Sequence, residues 1–422
     1  MMRSGGMAWG LSIALSLCAV ASAAPATSGD IQPDEFRSRR GALRKSLDGV
    51  MVLFGQREGL DVVFHFRQEP NFYYLTGWTE PGAILLVTPA EETLFLPHHD
   101  EHAERFLGKR SSAEDANVHQ ATGFDRVLGV EKFETELDGA LSRFAKFYAL
   151  SSGPDRVKLQ ARYAFREISD AAPPITKLRV KKSDAELAAI QRATDVTIDA
   201  HRATWKRIEP GMYEHQLSAV LMSVYLDRGC EGVAYDPIVG SGPNGAVLHY
   251  FSGGRRMDRG EVVLMDSAAE CGGYASDITR TIPVGGKFSK RQRELYQIVL
   301  GAQKAAIAAI KPGIRMGGEE NSVTKVAKDY LNSHGKDTHG EPLGKYFTHG
   351  LGHPVGLQVH DPNVDGPLEA GMVVTVEPGL YIPEEGIGIR IEDVVLVTEH
   401  GAKVLSAALP KEPDEIEAAL AK

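Results

Sequence analysis

Along the first 170 residues, short apolar runs bounded by Gly or Pro alternate with stretches of helical spacing. Val50-Met51-Val52-Leu53-Phe54, Ala83-Ile84-Leu85-Leu86-Val87 and Leu94-Phe95-Leu96 read as buried strands. Thr135 to Phe147 carries apolar residues at helical spacing. Strand alternating with helix predicts a small α/β unit over residues 31–170. Ala171-Ala172-Pro173-Pro174 interrupts the pattern, which places a linker at 171–182.

A second unit, 183–415, opens with a helix. Ser183 and Glu186 form a capping box, and apolar positions recur at helical spacing to Ile208. Pro210-Gly211 stops that helix and another runs to Gly229. The arrangement then returns: Ser289 and Gln292 cap a helix to Ile310, Pro312-Gly313 stops it, and a further helix ends near Gly335. The repeated Ile-x-Pro-Gly turn suggests an internal duplication. Each half carries a pair of β-prone runs with an acid at the inner end. Val262–Met265 leads into Asp266, and Ile278–Ile282 follows Asp277, with Cys271-Gly272 midway. Val373–Val376 leads into Glu377, and Val394–Val397 follows Glu392, with Glu384-Glu385 midway. A hairpin folded at either midpoint sets its two carboxylates opposite each other. Two such hairpins facing across a pseudo-twofold axis would gather all four acids, beside His353 from a Gly- and Pro-rich loop. The fold class is therefore α+β, a duplicated C-terminal domain preceded by a smaller α/β accessory domain.

The N-terminus adds a compartment. Arg3, an apolar stretch from Met7 to Val20, and Ala21-Ser22-Ala23 have the form of a secretory signal, residues 1–23, cleaved after Ala23. The stretch is short for a membrane anchor, and Leu17 before Cys18 does not suit a lipoprotein. The mature chain is thus expected to be exported, periplasmic or secreted, with no membrane span. A formal net charge of −9 argues against nucleic acid as a partner. Cys230 and Cys271 remain after cleavage. An oxidising compartment permits a disulfide between them, and two separate thiols fit the sequence as well.

Four carboxylates and an imidazole cannot share a small volume without cations, because like charges raise one another's pKa. Oxygen-rich donors favour Mn²⁺, Mg²⁺ or Ca²⁺, and one imidazole admits Mn²⁺, Co²⁺, Fe²⁺ or Zn²⁺. Two such ions about 3.5 Å apart can share a water, lower its pKa and polarise a carbonyl, which is hydrolytic chemistry. Any one of these acids alone would read as a solvated turn or a helix cap; the symmetry of the two pairs with the histidine loop is what points to metal. His249 and His360 follow loop-forming sequence and could donate to a carbonyl oxygen.

These residues carry a resemblance. Asn244-x4-His249-Tyr250, Met265-Asp266 with Ser276 to Thr281, and His349-Gly350-Leu351-Gly352-His353 with Val359-His360-Asp361 are its first elements. Thr375 to Tyr381 and Gly388 to Asp393 complete the series. Together they resemble, in order, the aminopeptidase P and prolidase branch of the pita-bread metallopeptidases. Phe66 to Gly77 and Glu80-Pro81-Gly82 resemble that branch's accessory domain. The resemblance implies a pita-bread catalytic domain holding two divalent ions, manganese first, zinc or cobalt as alternatives. Asp266 would chelate one ion, Asp277 and Glu392 would bridge both, and His353 and Glu377 would complete the other. A bridging hydroxide would be the nucleophile and Glu377 would shuttle its proton to the leaving nitrogen. His249 and His360 would hold the scissile carbonyl, and His349 would line the proline pocket. Arg390, counted with the substrate-binding residues, and Tyr381 would support the ligand carboxylates.

The implied activity is cleavage of the N-terminal Xaa-Pro bond of peptides, with prolidase action on dipeptides as the alternative. From another class, the alternative is a non-catalytic peptide-binding protein on the same fold. A homodimer or homotetramer is implied as well. Cys271 matches no family ligand and is expected to be an exposed or weakly packed thiol. Pro97-His98-His99-Asp100 is expected to be a surface loop despite its histidine pair.

Overall fold

A computed structural model describes residues 31–57 and 66–421. The expected signal segment, 1–23, lies outside the described residues. The N-terminal unit is a six-stranded sheet: β1 (Gly49–Phe54), β2 (Ile84–Val87), β3 (Glu92–Leu96), β4 (Val127–Gly129), β5 (Lys146–Ala149) and β6 (Ile168–Asp170), in the order β4-β3-β2-β1-β5-β6. β1 is central and apolar throughout because both its faces are covered. Val50 and Val52 pack with Phe133 and Leu137 on one side, while Met51 and Leu53 pack with Phe36 and Phe72 on the other. The helix Phe133–Arg143 ends earlier than its spacing suggested, and Lys146 and Phe147 belong to β5.

Residues 172–179 of the expected linker form a helix, Ala172–Arg179, with prolines in its first turn. The Pro pair marks a helix start, since the first-turn N–H groups have no intrahelical acceptor and Pro loses nothing there. Its Ile175 joins the accessory-domain core, so the segment is packed.

In the second unit, the helices Asp184–Arg207 and Glu214–Asp227 are matched later by Lys290–Ala309 and Val323–Ser333. Both expected capping boxes form, Ser183 with Glu186 and Ser289 with Gln292. The strands are β7 (Gly232–Val233), β8 (Ile238–Ser241), β9 (Val262–Asp266), β10 (Ala269–Cys271), β11 (Tyr274–Ala275), β12 (Thr279–Pro283), β13 (Val373–Val376), β14 (Gly379–Ile382), β15 (Ile387–Arg390), β16 (Asp393–Thr398) and β17 (Gly401–Val404). Each of the paired runs is antiparallel, β9 with β12 and β13 with β16.

Register differs between the hairpins. β10 and β11 close through Gly272-Gly273, whose φ values of 61° and 77° suit a tight two-residue turn. The fold point therefore lies past the midpoint of the two aspartates. Asp266 faces Thr279, and Asp277 sits diagonally, on the same side of the sheet. In the other hairpin Val376 faces Asp393 and Gly379 faces Arg390, a register that sets Glu377 against Glu392.

The hairpins are stitched together where the acids lie. Glu392 N–H donates to Thr279 O at 3.1 Å, and Thr281 Oγ1 bonds both the N–H and the carbonyl of Arg390 at 3.1 Å. Beneath this seam the buried Arg280 donates to Glu392 O (2.6 Å) and to Asp393 Oδ1 (2.8 Å).

Cys230 and Cys271 are disulfide-bonded, the first of the two alternatives the sequence allowed, and Cys271 is fully buried, contrary to the expected exposed or weakly packed thiol. The bond ties the tip of the aspartate hairpin to the end of the preceding helix. Closing a loop of 41 residues contributes about 4 kcal/mol in the chain-entropy account. Reduction, or Cys230→Ser, is expected to lower the denaturation midpoint accordingly, as read by circular dichroism. No described helix is long and apolar enough to cross a membrane.

Candidate metal centre

Asp266 ends β9 and Asp277 precedes β12, so the twist of one hairpin presents both side chains to a common face. Glu377 and Glu392 sit in the gaps between β13 and β14 and between β15 and β16, where the long hairpin breaks its ladder. His353 arrives on an extended segment laid along β13. Thr375 N–H donates to His353 O at 2.9 Å, and Glu377 N–H donates to Leu351 O at 2.9 Å. This contact needs Gly352: a Cβ there would lie 2.1 Å from Thr375 O.

The five residues line one cavity of about 430 Å³, together with Tyr235, His249, His349, His360 and Arg390. Ligand atoms of Asp277, His353 and Glu392 all lie within 4.8 Å of one another, the group among the described residues closest to a metal-binding arrangement. His353 Nε2 is 3.4 Å from Asp277 Oδ2 and 3.5 Å from Glu377 Oε1. Its Nδ1 donates to Pro354 O at 3.1 Å, which turns Nε2 toward Asp277 and Glu377 as the nitrogen that would coordinate a metal. Hydroxyls hold one oxygen of each glutamate: Thr375 Oγ1 on Glu377 Oε1 at 3.1 Å, Thr279 Oγ1 on Glu392 Oε2 at 2.6 Å. The second oxygens are left for another partner.

Asp266 is held differently. Arg390 Nη2 donates to its Oδ2 at 2.5 Å, and the Tyr235 hydroxyl contacts Asp266 Oδ1 and, at 2.5 Å, Asp277 Oδ1. Tyr235 and the two threonines are the groups that pattern reasoning did not single out. Thr279 and Thr375 both lie inside the family-like motifs, but nothing in the run before β8 marks Tyr235. Arg390 also donates to Thr279 and Tyr381 through Nε and Nη1 and is buried, so it acts on the site through Asp266 and these two partners. Tyr381 in turn reaches His349 Nε2 at 2.8 Å, and His349 Nδ1 donates to Gly350 O at 2.7 Å. His249 and His360 are exposed at the cavity mouth. No described protein group hydrogen-bonds either ring, and the His360 ring centroid is 4.1 Å from that of His353.

The charges show what the cavity lacks. Burial pushes the Glu377 carboxyl up to about 7 against the pull of His353 and Arg390. Burial, then Asp277 and Glu377, pushes Glu392 well above the carboxylate range. Burial also raises Asp277, against the pull of His353. Burial alone would depress His353, but Asp277 and Glu377 lift it to about 9. His349 goes the other way, down to about 4, through burial and then Arg390. Arg390 and His353 are too little positive charge for four carboxylates. Hard oxygen donors with one imidazole are what divalent cations fill, and the donor set fits them.

The histidine pair near residue 98 forms no such group. His98 pairs with Glu114 (2.9 Å) and Glu131 (2.6 Å), and His99 with Glu104 (2.7 Å) and Asp115 (3.2 Å), as a partly exposed ion-paired loop.

Residues 188–399 match metallopeptidase family M24, and residues 36–148 match the aminopeptidase P N-terminal domain. The chain belongs to family M24. As an M24 metallopeptidase it has the pita-bread catalytic domain behind an aminopeptidase P accessory domain. The Xaa-Pro aminopeptidase of Haemophilus influenzae is 34% identical over 416 residues, covering 91% of this chain and 96% of that one. The Xaa-Pro dipeptidase of Pyrococcus horikoshii is 32% identical over 363 residues, covering 84% and 95%. Among solved structures, Escherichia coli aminopeptidase P with the inhibitor Pro-Leu superposes with a TM-score of 0.82 at 31% identity, covering 92% of this M24 chain and 98% of that one.

Proposed function

We propose that the protein is an Xaa-Pro aminopeptidase, hydrolysing the bond before a proline at the second position and releasing the N-terminal residue. The observation that carries this reading is the convergence of Asp266, Asp277, His353, Glu377 and Glu392 in one cavity with three further histidines. Divalent ions, when bound by those five residues, supply Lewis acidity and a nucleophilic water at neutral pH. Glu377, which lines the cavity beside the other ligand carboxylates and His353, is placed to take a proton and pass it to the departing proline nitrogen. His249 and His360 project exposed rings at the mouth, where they can donate to the scissile carbonyl. His349, braced by Tyr381 and Gly350, offers a fixed neutral ring face to the proline. An Xaa-Pro amide has no N–H, so the site has only the carbonyl and the ring shape to read.

The match to the aminopeptidase P N-terminal domain supports the reading of an aminopeptidase acting on peptides of three or more residues over that of a prolidase. Turnover of an Xaa-Pro-Xaa tripeptide is expected to exceed that of the Xaa-Pro dipeptide, measured side by side. Hydrolysis of the dipeptide alone would make the protein a prolidase.

Three finer features belong to the same proposal. The ions are two, with manganese first and zinc or cobalt as alternatives, since the donors are oxygen-rich with a single imidazole; elemental analysis of the purified protein counts and names them. The protein is exported to the periplasm or beyond, which the N-terminal pattern and the Cys230–Cys271 bond support; a mature N-terminus at residue 24 in the exported fraction is the test. The subunits assemble as a homodimer or homotetramer, which light scattering measures.

A further inference from the structure

Under the loop that carries His360 lies a buried charge cluster that the mechanism above does not use. Asp361, the next residue, accepts from Arg179 Nη2 at 2.6 Å and from Lys182 Nζ at 2.9 Å. All three side chains are buried, each with a relative exposure of 2% or less. Lys182 Nζ also donates to Arg179 O at 2.9 Å, which fixes the end of the helix Ala172–Arg179 against the acid. Arg179 reaches further: Nη1 donates to Asn71 Oδ1 of the accessory domain at 2.7 Å and Nη2 to Gln358 Oε1 at 3.0 Å.

The cluster closes the loop on itself. Asp361 N–H donates to Pro354 O at 2.9 Å, and Gln358 N–H donates to Asp361 Oδ1 at 3.3 Å. Gly356 packs on the same carboxylate so closely that a Cβ would lie 2.6 Å from Oδ2. Residues 354–361 therefore form a small ring whose hub is Asp361. His353 precedes that ring and His360 is carried inside it, next to the hub.

The two histidines are held by different means. The His353 ring is fixed through its own Nδ1 on Pro354 O. No described protein group bonds the His360 ring, so its direction is set from below, by the backbone at 360–361. The cluster is also a poor device for stability alone. Arg179 Nε is buried without a hydrogen-bond partner, and buried ion pairs often stabilise no better than apolar replacements of the same volume.

We propose that Asp361, clamped by Arg179 and Lys182, is the positioning group for His360, with Asn71 joining the accessory domain to the clamp. The inference rests on the reading of His360 as a group that contacts the scissile carbonyl. A displacement of about 1 Å at such a group can cost on the order of 10²-fold in rate. The accessory domain thereby contributes to turnover without touching substrate.

The test is a double-mutant cycle on the metal-loaded full chain, with Arg179→Gln and His360→Ala alone and combined, assayed on an Xaa-Pro-Xaa tripeptide. Arg179→Gln is expected to lower kcat roughly 10- to 10²-fold, with KM and metal content little changed; the melting temperature falls, because removing one partner of a buried ion pair is destabilising, so kcat is compared well below it. In the His360→Ala background it should cost nothing further, because the group it positions is gone. An additive loss overturns the proposal. If Arg179→Gln does not fold, Asn71→Ala replaces it, since that change removes a neutral partner and leaves the ion pairs whole. A loss of a few-fold that vanishes with His360→Ala supports the clamp, and no loss or an additive loss overturns it. A normal kcat for His360→Ala alone would instead remove His360 from the mechanism.

Discussion

Replacing Glu377 by Gln is expected to lower kcat by roughly 10²- to 10⁴-fold, the range that a positioned proton-transfer group contributes. The substitution keeps the shape and the acceptor that Thr375 Oγ1 binds at 3.1 Å. It removes the group that can hold a proton. It also removes the charge that, with Asp277, lifts His353 to about 9. Two losses are thus combined, one of proton transfer and one of ligand charge, and they separate experimentally. Elemental analysis reports the ligand loss, and kcat at saturating metal reports the proton-transfer loss. A variant that loses metal but regains wild-type kcat when metal is added back would leave Glu377 with a ligand's role only. Unchanged turnover under all conditions would remove it from both.

Much of this site was legible because its two halves obey different local rules that leave marks in sequence. Apolar runs such as Val262–Met265 and Val373–Val376 need covered faces on both sides, and in each case the first polar residue after the run is a metal-site acid. The capping boxes at Ser183 and Ser289 announced the duplicated helices, since each satisfies two backbone donors that would otherwise be unpaired. The glutamate hairpin folds about its expected midpoint. The aspartate hairpin does not, because the Gly272-Gly273 pair accepts left-handed φ values and captures the turn one residue later. The pleat tolerates the shift, since moving a partner by two positions keeps it on the same face.

What was not legible depends on long-range placement. Tyr235 comes to Asp266 and Asp277 from a loop before β8, and no spacing rule connects them. The Arg179–Asp361 pair joins residues 182 positions apart. Pro173-Pro174 was ambiguous for a different reason: the same fixed φ that ends a helix also begins one. The Cys230–Cys271 bond stayed one of two alternatives in sequence because it is set by the β7–β10 pairing, which brings Gly232 opposite Glu270 and so draws Cys230 to the hairpin tip.

Stripping the metal is expected to abolish turnover and to reverse the usual benefit of neutral pH for stability. In the metal-free fold, Glu377 titrates near 7 instead of in the ordinary range near 4.5. The folded state therefore binds a proton more tightly than the unfolded chain does. Its contribution is fully present below pH 4.5 and is lost as pH rises towards 7. His353 has the same sign over a higher window: raised from 6.5 to about 9, it stabilises below 6.5 and loses that contribution as pH climbs to about 9. Asp277 and Glu392 are raised as well and act in the same direction. Asp393 has the opposite sign, held down to about 2 by Arg280 and Lys411 despite burial, so its loss belongs below pH 4. Between pH 5 and 8, taken as a working range of about three units, the apo protein should melt at progressively lower temperature. Cations that replace those protons remove the repulsion, so the gap between loaded and stripped melting temperatures should widen with pH. Calorimetry of both forms across that range is the measurement. A gap that stays constant with pH would mean that the carboxylates do not share one charged site.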